Sequence, residues 1–381
     1  MNQNGIIIID KPADWTSHDV VAKLRGALRG AMRDDAMQGG AEAGGIARDG
    51  AARGGAAQQK PGAAKNLRVG HGGTLDPLAT GVLPVFIGRA TRAAEFCENA
   101  EKEYIAGLMP GIVTDTQDIT GNVLSENEVT VTPGELSAIL HRFTGAQKQT
   151  PPMYSAVKQG GKKLYELARR GIEVPRDARD IFISLIEMIE NAEPDLAFPH
   201  GNTGNAEPNL AFPHGNVDNA GTDFKYPPGD PGDTAPNSML PPARPVYTLR
   251  IVCSKGTYIR TLCHDIGAAL GCGATMSALR RLRAGAFTID MAHTLDDVLT
   301  AILTDSVNDI ILPVDSIFQQ LPSITLSGAD TRKAKNGALR SLQGASDGNY
   351  RFYAPDGEFL LLGEVKNNGM KTIKSFFTEI Q

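Results

Sequence analysis

Apolar residues along the chain fall into short strand-like runs and longer helical repeats. Residues 6–9 are four consecutive isoleucines, which predict a buried strand that the following Lys-Pro pair ends. We expect a helix after it, capped by Ser17. Residues 82–87 predict a second apolar strand, and residues 102–109 alternate as a half-buried strand does. A Pro and an acidic residue in its first turn predict a helix over residues 133–143.

The pattern changes after residue 315. Short apolar runs at 324–326, 350–354 and 359–364 are separated by glycines, which is typical of strands joined by tight turns. A chain of 381 residues is long enough for one large domain and one small domain. We therefore expect a small β module at the C-terminal end.

Two segments differ in composition from the rest of the chain, and the first of them has almost no large apolar residue. From about residue 30 to 65 the chain is rich in Gly, Ala, Gln and Arg, and residues 191–243 are rich in Pro and Gly and carry a 14-residue sequence twice in tandem. Such segments bury too little surface to offset the entropy of ordering them. We interpret both as disordered insertions. RNA contacts by the arginines of the first segment, or a weak metal site at His200 and His214 of the second, are the less favoured alternatives.

Composition and charge describe an ordinary protein without a membrane span. The net charge of −5 argues weakly against nucleic-acid binding, since domains that bind nucleic acids are often basic. The four cysteines have no paired spacing, so reduced core thiols are favoured over a zinc site. The isoleucine run is far too short for a signal sequence or a membrane span, and we expect a cytoplasmic protein.

One segment departs from the acidic average. Residues 149–175 carry basic residues interleaved with Met and Tyr, which are expected at a surface that contacts phosphates. The alternative is a solvated charged face. The basic residues concerned are Lys158, Lys162, Lys163, Arg169 and Arg170.

Residues 70–83, GHGGTLDPLATGVL, form a loop punctuated by Gly and Pro around one carboxylate, Asp76. We call this stretch the Asp76 loop. Its glycines permit positive φ angles and close approach of a ligand. It lacks the Lys-Ser/Thr pair of a P-loop and does not match the dinucleotide fingerprint. Asp76 is therefore either a structural turn residue or a reactive group.

The Asp76 loop resembles the active-site motif of the TruB family, the tRNA pseudouridine-55 synthases, in which the aspartate is the essential catalytic residue. Three further stretches carry the resemblance over most of the chain: IIIIDKPADWTSHDVV at the start, residues 149–175, and SKGTYIRTLCHDIG at 254–267. Residues 149–175 are similar to the mobile thumb that closes over the T-arm of tRNA, and we call them the thumb-like segment.

The resemblance assigns roles to single residues. It implies that Arg260 pairs with Asp76 in a carboxylate–guanidinium fork, that Tyr104 stacks on the target base, and that Tyr258 and Leu279 line the uridine pocket. His71 is placed to fill the space that the extruded base leaves. The same resemblance implies that Asp118 helps to order the site, that the Lys-Pro pair packs beneath it, and that Tyr258 and Ile259 end a strand before a helix begins at Arg260. Three arginines, Arg280, Arg281 and Arg283, are expected to add a basic stripe.

The resemblance also implies a fold. We expect an α+β pseudouridine synthase domain over residues 1–315, with a mixed, mainly antiparallel sheet and flanking helices, followed by a small PUA-like, barrel-like RNA-binding domain over residues 316–381. Residues 181–189 and 246–253 would pair as neighbouring strands around the second insertion. Both insertions should lie away from the RNA-facing cleft.

The expected activity is isomerisation of a T-loop uridine of tRNA, at position 55, by an Asp-dependent mechanism with base flipping and without a cofactor or metal. The absence of nucleotide, metal and flavin motifs is consistent with a reaction that transfers no group and no electrons. A monomer that binds the T-arm of tRNA and no membrane is expected. Two rivals remain, a non-catalytic tRNA-binding or folding module on the same fold and an unrelated Asp-dependent hydrolase; a guide-RNA-dependent relative is disfavoured by the thumb-like segment.

Overall fold

The computed structural model describes residues 4–42, 67–189 and 244–377, with only the backbone described for residues 34–42. The strands are β1 Gly5–Lys11, β2 Val69–His71, β3 Thr80–Ile87, β4 Lys102–Pro110, β5 Ile112–Thr114, β6 Val123–Glu126, β7 Gly145–Gln149, β8 Lys158–Gln159, β9 Lys162–Lys163, β10 Arg179–Met188, β11 Tyr247–Cys253, β12 Ala274–Ala284, β13 Phe287–Thr288, β14 His293–Thr294, β15 Ser323–Thr325, β16 Gly348–Tyr353, β17 Phe359–Lys366 and β18 Gly369–Ser375. The α-helices are α1 Ser17–Glu42, α2 Ala94–Asn99, α3 Pro133–Leu140, α4 Leu164–Ala168, α5 Ile259–Leu270, α6 Leu295–Leu303 and α7 Gly328–Lys335. Short 3₁₀ turns lie at Gly88–Ala93, His141–Phe143, Ile289–Met291, Val307–Asp309 and Val314–Phe318.

One large sheet organises the first three hundred residues. Its strand order is β14-β1-β3-β12-β4-β11-β10-β7, with β2 added to β3 and β13 added to β12. The pairs β1–β14 and β3–β12 are parallel and the other pairs are antiparallel. The predicted mixed, mainly antiparallel sheet with flanking helices is therefore confirmed.

The centre of the sheet is β4, which pairs with β12 on one side and β11 on the other. Tyr104 of β4 lies opposite Arg281 of β12 and Ile251 of β11. Residues on one face, including Leu136 of α3 and Ile266 of α5, form a single apolar cluster with Tyr104. Because β4 is buried on nearly its whole length, its side chains are held in fixed positions for the site described below.

A second apolar cluster lies under the N-terminal helix. Strands β1 and β3 pack there against α1 and α6. The sequence placed a disordered insertion from about residue 30, but α1 continues to Glu42. Leu24, Leu28 and Met32 recur at four-residue spacing and are buried, so the apolar face of the helix runs past residue 30. The rest of that insertion, and nearly all of the one predicted at 191–243, lies outside the described residues.

The start of α1 differs from the prediction as well. Thr16, not Ser17, caps the helix, since its Oγ1 accepts from the backbone N–H of Asp19 at 3.1 Å while Asp19 accepts from the N–H of Thr16 at 3.0 Å. Ser17 is buried and bonds elsewhere. The predicted strand pair around the second insertion is confirmed by β10 and β11, which pair antiparallel from Ile183 with Cys253 to Met188 with Leu249.

The C-terminal strands form a separate four-stranded sheet in the order β15-β16-β17-β18. The sheet is open over the described residues, so it fits a barrel only loosely. Strand β18 and helix α7 had no counterpart in the sequence-based prediction. The sheet packs on the large domain through Phe318, which contacts Phe359 and Phe376. Among the described helices, none has the length and apolar character needed to traverse a bilayer.

Candidate active site

The Asp76 loop is fixed to the N-terminal strand and helix by short hydrogen bonds. Ser17 Oγ accepts from the backbone N–H of Leu75 at 2.8 Å and donates to the carbonyl of Leu75 at 3.0 Å. Lys11 Nζ donates to the carbonyl of Pro77 at 3.2 Å. The main chain on both sides of Asp76 therefore has little freedom, because both residues that hold it are fully buried.

Lys11 lies beneath the loop, as the resemblance implied for the Lys-Pro pair. Its ammonium also donates to the carbonyls of Pro12 at 2.7 Å and Trp15 at 2.6 Å. Burial lowers the pKa of Lys11 from 10.5 to about 8, while the nearby carboxylates of Asp14 and Asp76 raise it. Lys11 is therefore cationic at neutral pH.

Asp76 and Arg260 form an ion pair at the surface of the site. Arg260 Nε lies 2.9 Å from Asp76 Oδ2, and the side chain of Arg260 is 7% exposed whereas that of Asp76 is 40% exposed. The carboxylate therefore reaches solvent while its partner does not. A group approaching from solvent can touch the free side of the carboxylate without displacing the guanidinium.

The pairing is not the fork that the resemblance implied. The two terminal nitrogens of Arg260 donate to main-chain carbonyls, that of Thr116 at 3.0 Å and that of Tyr154 at 2.9 Å. Nε is the nitrogen that contacts Asp76. The bonds of the two terminal nitrogens fix the plane of the guanidinium. Asp76 is then oriented by a single charge-assisted contact with Nε.

Asp118 is the second carboxylate at Arg260. Its Oδ2 lies 3.7 Å from Arg260 Nε, and its Oδ1 accepts from the N–H of Thr120 at 3.0 Å and from Thr116 Oγ1 at 2.9 Å. Asp118 is buried. The predicted ordering role is supported by these contacts, since Asp118 fixes the turn whose Thr116 carbonyl holds Arg260.

Tyr104 and Leu279 lie together on the face of the sheet that carries the site. Both are buried in one cluster with Leu75 and Ala79 of the Asp76 loop. Burial raises the pKa of the Tyr104 phenol, and the nearby Arg281 guanidinium opposes that shift. The phenol is therefore neutral at physiological pH.

The sequence predicted that Tyr258 ends a strand, and this prediction is wrong. Strand β11 ends at Cys253, and Tyr258 is the residue that precedes the first turn of α5. Its peptide is held at both ends by Gln149, which accepts from the N–H of Tyr258 at 2.8 Å and donates to its carbonyl at 3.0 Å. Gln149 is buried and was not singled out from the sequence, where a glutamine before a Thr-Pro-Pro run carries no signal.

His71 ends β2 at the start of the loop. Its ring lies edge-on to that of His18, with 5.2 Å between the centroids. Burial, with smaller contributions from His18 and Arg281, lowers the pKa of His71 from 6.5 to about 4. The imidazole is therefore neutral at physiological pH and presents an uncharged ring beside the loop.

The expected basic stripe of Arg280, Arg281 and Arg283 is wrong. Arg280 is buried and forms a two-pronged ion pair with Asp10 at 2.7 and 3.1 Å. Arg283 pairs with Glu101 at 2.8 Å and with Glu103 at 3.3 Å. These carboxylates lie some two hundred residues away in sequence, so no local pattern could reveal that the charges are neutralised.

Arg281 is the residue of this set that belongs to the site. It is 1% exposed, and its guanidinium donates to the carbonyls of Val82 at 2.7 Å, Gly73 at 3.1 Å and Thr74 at 3.4 Å. These carbonyls lie on both sides of Asp76. At Gly81, where φ is +97°, an added Cβ would lie 2.2 Å from the Arg281 carbonyl oxygen, so only glycine fits.

The thumb-like segment lies at the surface. Lys158, Lys162, Arg169 and Arg170 are exposed, and Lys163 is half-buried. Lys163 Nζ and the Arg169 guanidinium lie 5.3 and 5.5 Å from the ring centre of Tyr165. The segment is joined to the ion pair through the carbonyl of Tyr154, which accepts from Arg260.

In the described part of the chain, no group of three or more His, Cys, Asp or Glu side chains is arranged to hold a metal ion. The four cysteines are buried and free of disulfides, as expected for core thiols. Burial raises the pKa of Cys97 and of Cys253 to about 11, so both thiols stay protonated at neutral pH.

Comparison with solved structures identifies the fold of the chain. The chain matches a crystal structure of a Cbf5-Nop10-Gar1 complex with a TM-score of 0.58 at 21% identity, over 99% of this chain and 86% of that one. A structure of an H/ACA RNP bound to a substrate RNA containing 2′-deoxyuridine matches with a TM-score of 0.55. The chain therefore shares the fold of the protein chains matched in these structures.

Sequence relatives define the family. Residues 61–201 match the N-terminal domain of the TruB family pseudouridylate synthases, and residues 260–319 match the C-terminal domain of tRNA pseudouridylate synthase B. A protein of Syntrophomonas wolfei named tRNA pseudouridine synthase B is 33% identical over 97% of this chain and 96% of its own. The equally named protein of Azoarcus is 35% identical over 99% and 96%. The chain belongs to the TruB family of pseudouridine synthases.

Proposed function

We propose that the enzyme converts a uridine in the T-loop of tRNA, at position 55, to pseudouridine, with Asp76 as the catalytic residue. The observation that carries the proposal is the ion pair of a solvent-reaching Asp76 with a buried Arg260, whose two terminal nitrogens are held by main-chain carbonyls. The names of the relatives support tRNA as the substrate. Since tRNA is a cytoplasmic RNA, a cytoplasmic enzyme is part of the proposal.

The reaction breaks the N1–C1′ bond of uridine and forms a C5–C1′ bond. N1 gains a proton and C5 loses one, so product and substrate have the same atoms and no cofactor or metal is needed. Asp76 adds to the ring, attacks C1′ or removes a sugar proton. All three routes use a carboxylate oxygen of Asp76, and the contact with Arg260 fixes the position of that group.

The target base must leave its stack before Asp76 can reach the ribose. We assign Tyr104 to stack on the extruded uracil, with Leu279 and Tyr258 closing the pocket around it. His71 fills the space left in the RNA, because a neutral ring can stack between bases without burying a charge. Arg260 holds Asp76 in one orientation.

The thumb-like segment is assigned to the T-arm. Its cations contact phosphates, whose number sets the salt dependence of binding. A monomer is sufficient for this proposal, because the residues of the pocket all belong to one chain.

The test is mass-spectrometric mapping of pseudouridine in unmodified tRNA transcripts incubated with the protein. We expect one modified position, in the T-loop. The Asp76→Asn variant should bind the same tRNA and form no pseudouridine, whereas Arg250→Gln should be as active as the wild type. Arg250 is the matched control because it lies next to Ile251 in β11 and so points to the sheet face away from Tyr104. Full activity of Asp76→Asn would refute the mechanism. If the wild type left the tRNA unmodified, the non-catalytic tRNA-binding module would be the remaining function.

A further inference from the structure

Gln149 is a buried polar side chain to which the proposed mechanism gives no role. It is the last residue of β7 and the first residue of the thumb-like segment, and it is 4% exposed. Both ends of its amide bond to Tyr258, which lies 109 positions further along the chain. Oε1 accepts from the N–H of Tyr258 at 2.8 Å, and Nε2 donates to the carbonyl of the same residue at 3.0 Å.

The two groups that Gln149 pairs with select its residue type. The main-chain N–H of Tyr258 needs an acceptor and the carbonyl needs a donor, and an amide side chain supplies one of each. An ionised carboxylate only accepts, and an apolar side chain does neither. Among side chains of this length, the glutamine amide is therefore the one that satisfies both groups from the end of β7.

The contact is made where α5 begins. Tyr258 directly precedes the first turn of the helix, and its own side chain makes no capping hydrogen bond. Its carbonyl also accepts from the N–H of Leu262 at 3.0 Å, as the first bond of the helix. Two donors thus converge on one carbonyl, and the peptide plane between Tyr258 and Ile259 cannot turn without leaving one of them unpaired. Gln149 therefore helps to fix the direction in which α5 leaves Tyr258.

Arg260 lies in the first turn of α5, between two such contacts. Gln149 holds the residue before the turn, and on the other side the hydroxyl of Thr261 donates to Gln117 at 2.7 Å. Gln117 belongs to the turn that follows β5. The 2.9 Å contact of Arg260 with Asp76 is made from this doubly held turn.

We propose that Gln149 is a positioning residue for the isomerisation. Its amide sets where Tyr258 stands in the pocket and, through the first turn of α5, the place from which Arg260 meets Asp76. The proposal rests on the proposed function for the roles of these three residues. A displacement of about 1 Å at a reacting centre lowers the rate by up to about 100-fold, whereas tRNA affinity depends mainly on phosphate contacts. Gln149 therefore affects turnover and not tRNA binding.

The experiment compares Gln149→Met and Gln149→Glu with a matched control, Gln147→Met. Gln147 lies two residues earlier in β7, and its amide donates to the carbonyls of Arg142 and Thr144, not to α5. Single-turnover formation of pseudouridine is measured at saturating unmodified tRNA, and the Kd for tRNA is measured by filter retention. We expect the rate of Gln149→Met to fall by about 10- to 100-fold at an unchanged Kd. Gln149→Glu, which keeps the acceptor and loses the donor, should also be slower, and the control should match the wild type.

Amide hydrogen exchange gives a second readout, which does not depend on turnover. The N–H groups of Tyr258 and Leu262 should exchange faster in Gln149→Met than in the wild type, because the first has lost its acceptor and the second bonds to a carbonyl that is held less firmly. Exchange in β4 and β12 should be unchanged. The control should exchange as the wild type does.

Each contrary outcome has its own meaning. Unchanged single-turnover rates in the folded Gln149 variants would refute the proposal. A lower midpoint of thermal unfolding with an unchanged rate, or failure of both variants to fold while Gln147→Met folds, would refute it in favour of a purely structural role. A raised Kd at an unchanged rate would refute it in favour of a role in tRNA binding.

The proposed function can fail separately. If the wild type formed no pseudouridine in tRNA, that function would be refuted. Faster exchange at Tyr258 in Gln149→Met would then still support the placement of Tyr258 by Gln149, and unchanged exchange would refute that placement as well.

Discussion

Two buried cations, Lys11 and Arg281, lie beneath the Asp76 loop and donate almost entirely to main-chain carbonyls. Burying a charge is unfavourable unless its donors are paired. Here Arg281 donates to three carbonyls of the loop, and Lys11 donates to the loop at Pro77 as well as to Pro12 and Trp15. The hydrogen bonds that keep these two charges satisfied therefore also fix the backbone around one carboxylate. This explains how a loop with four glycines can hold a catalytic group in one place.

Replacing Arg281 should loosen the loop and destabilise the protein. Arg281→Met keeps the apolar part of the side chain but leaves the carbonyls of Gly73 and Val82 without a donor, so we expect a loss of about 2–4 kcal/mol in the free energy of unfolding. The activity of the folded fraction should fall as well. Urea denaturation and single-turnover kinetics measure the two effects.

Arg283→Gln is the control for that substitution. Arg283 lies two residues further along β12, but its partners Glu101 and Glu103 reach solvent, so the change should cost under about 1 kcal/mol. Equal losses of stability in the two variants would show that the carbonyl contacts of Arg281 stabilise the fold no more than the ion pairs of Arg283 do.

Lys11 makes stability depend on pH in a defined window. Its pKa is 10.5 in the unfolded chain and about 8 in the folded protein, so between these values the unfolded state binds more protons. Stability contributed by this residue therefore rises as pH increases from about 8 to 10.5 and is flat below about 8. A shift of this size corresponds to roughly 3 kcal/mol.

The measurement compares urea midpoints of the wild type and Lys11→Met from pH 7 to 10. Other groups titrate in this range in both proteins, so the difference isolates Lys11. Parallel curves over the whole range would contradict the lowered pKa.

At the scale of elements, the thumb-like segment carries its positive charge at the surface, beside the catalytic pair. Lys158, Lys162, Arg169 and Arg170 are exposed, and Arg260 anchors the segment at Tyr154. Replacing these four residues by Gln should raise the KM for tRNA steeply. The slope of log K against log salt should fall by up to about 3, at about 0.7 for each phosphate that the segment no longer neutralises. The kcat at saturating tRNA should change little, because the substitutions leave Asp76 and Arg260 themselves in place.

Steady-state kinetics at several salt concentrations check this prediction, with Arg250→Gln as the control on the other face of the sheet. A fall in kcat at unchanged KM would mean that the segment assembles the site and does not bind the T-arm.

Elements with a strong local signal were predictable, and contacts between distant elements were not. The isoleucine run and the alternation at 102–109 are β1 and β4. The pairing of Asp76 with Arg260 was expected from the motifs that carry them, and the two side chains are 2.9 Å apart. The true start of α1 at a Thr16–Asp19 box was missed because Ser17 is an equally good cap by residue type.

The failures at the arginines and at Gln149 share one physical cause, and the missed helical extension has another. Arg280, Arg281 and Arg283 suggested a basic stripe because local sequence shows charge but not the partner that neutralises it. Gln149, which fixes the peptide of Tyr258, was invisible for the same reason. The helical extension to Glu42 was hidden by composition, since two buried residues at four-residue spacing outweigh many small ones.

At the scale of the whole molecule, the C-terminal sheet is joined to the large domain by a cluster of packed phenylalanine side chains. Phe318 lies between Phe96, at 5.0 Å, and the stacked pair of Phe359 and Phe376. Leu362 and Phe376 of the sheet are buried in the same cluster as Ile6 and Phe86 of the large sheet. The small sheet is therefore part of the core that supports β1 and β3, whose other ends hold the Asp76 loop.

Phe376→Ala tests this coupling. Removing a buried aromatic side chain costs about 3–5 kcal/mol, and because the cavity lies in a shared core, the loss should destabilise both parts of the molecule. We expect one unfolding transition with a lowered midpoint, and faster amide exchange in β18 together with β1 and β3. The exposed Ile373 of β18, the strand that Phe376 directly follows, is the control, since Ile373→Ala should shift the midpoint little. Two separate transitions, with only the smaller one shifted, would mean that the C-terminal sheet folds and unfolds independently of the catalytic domain.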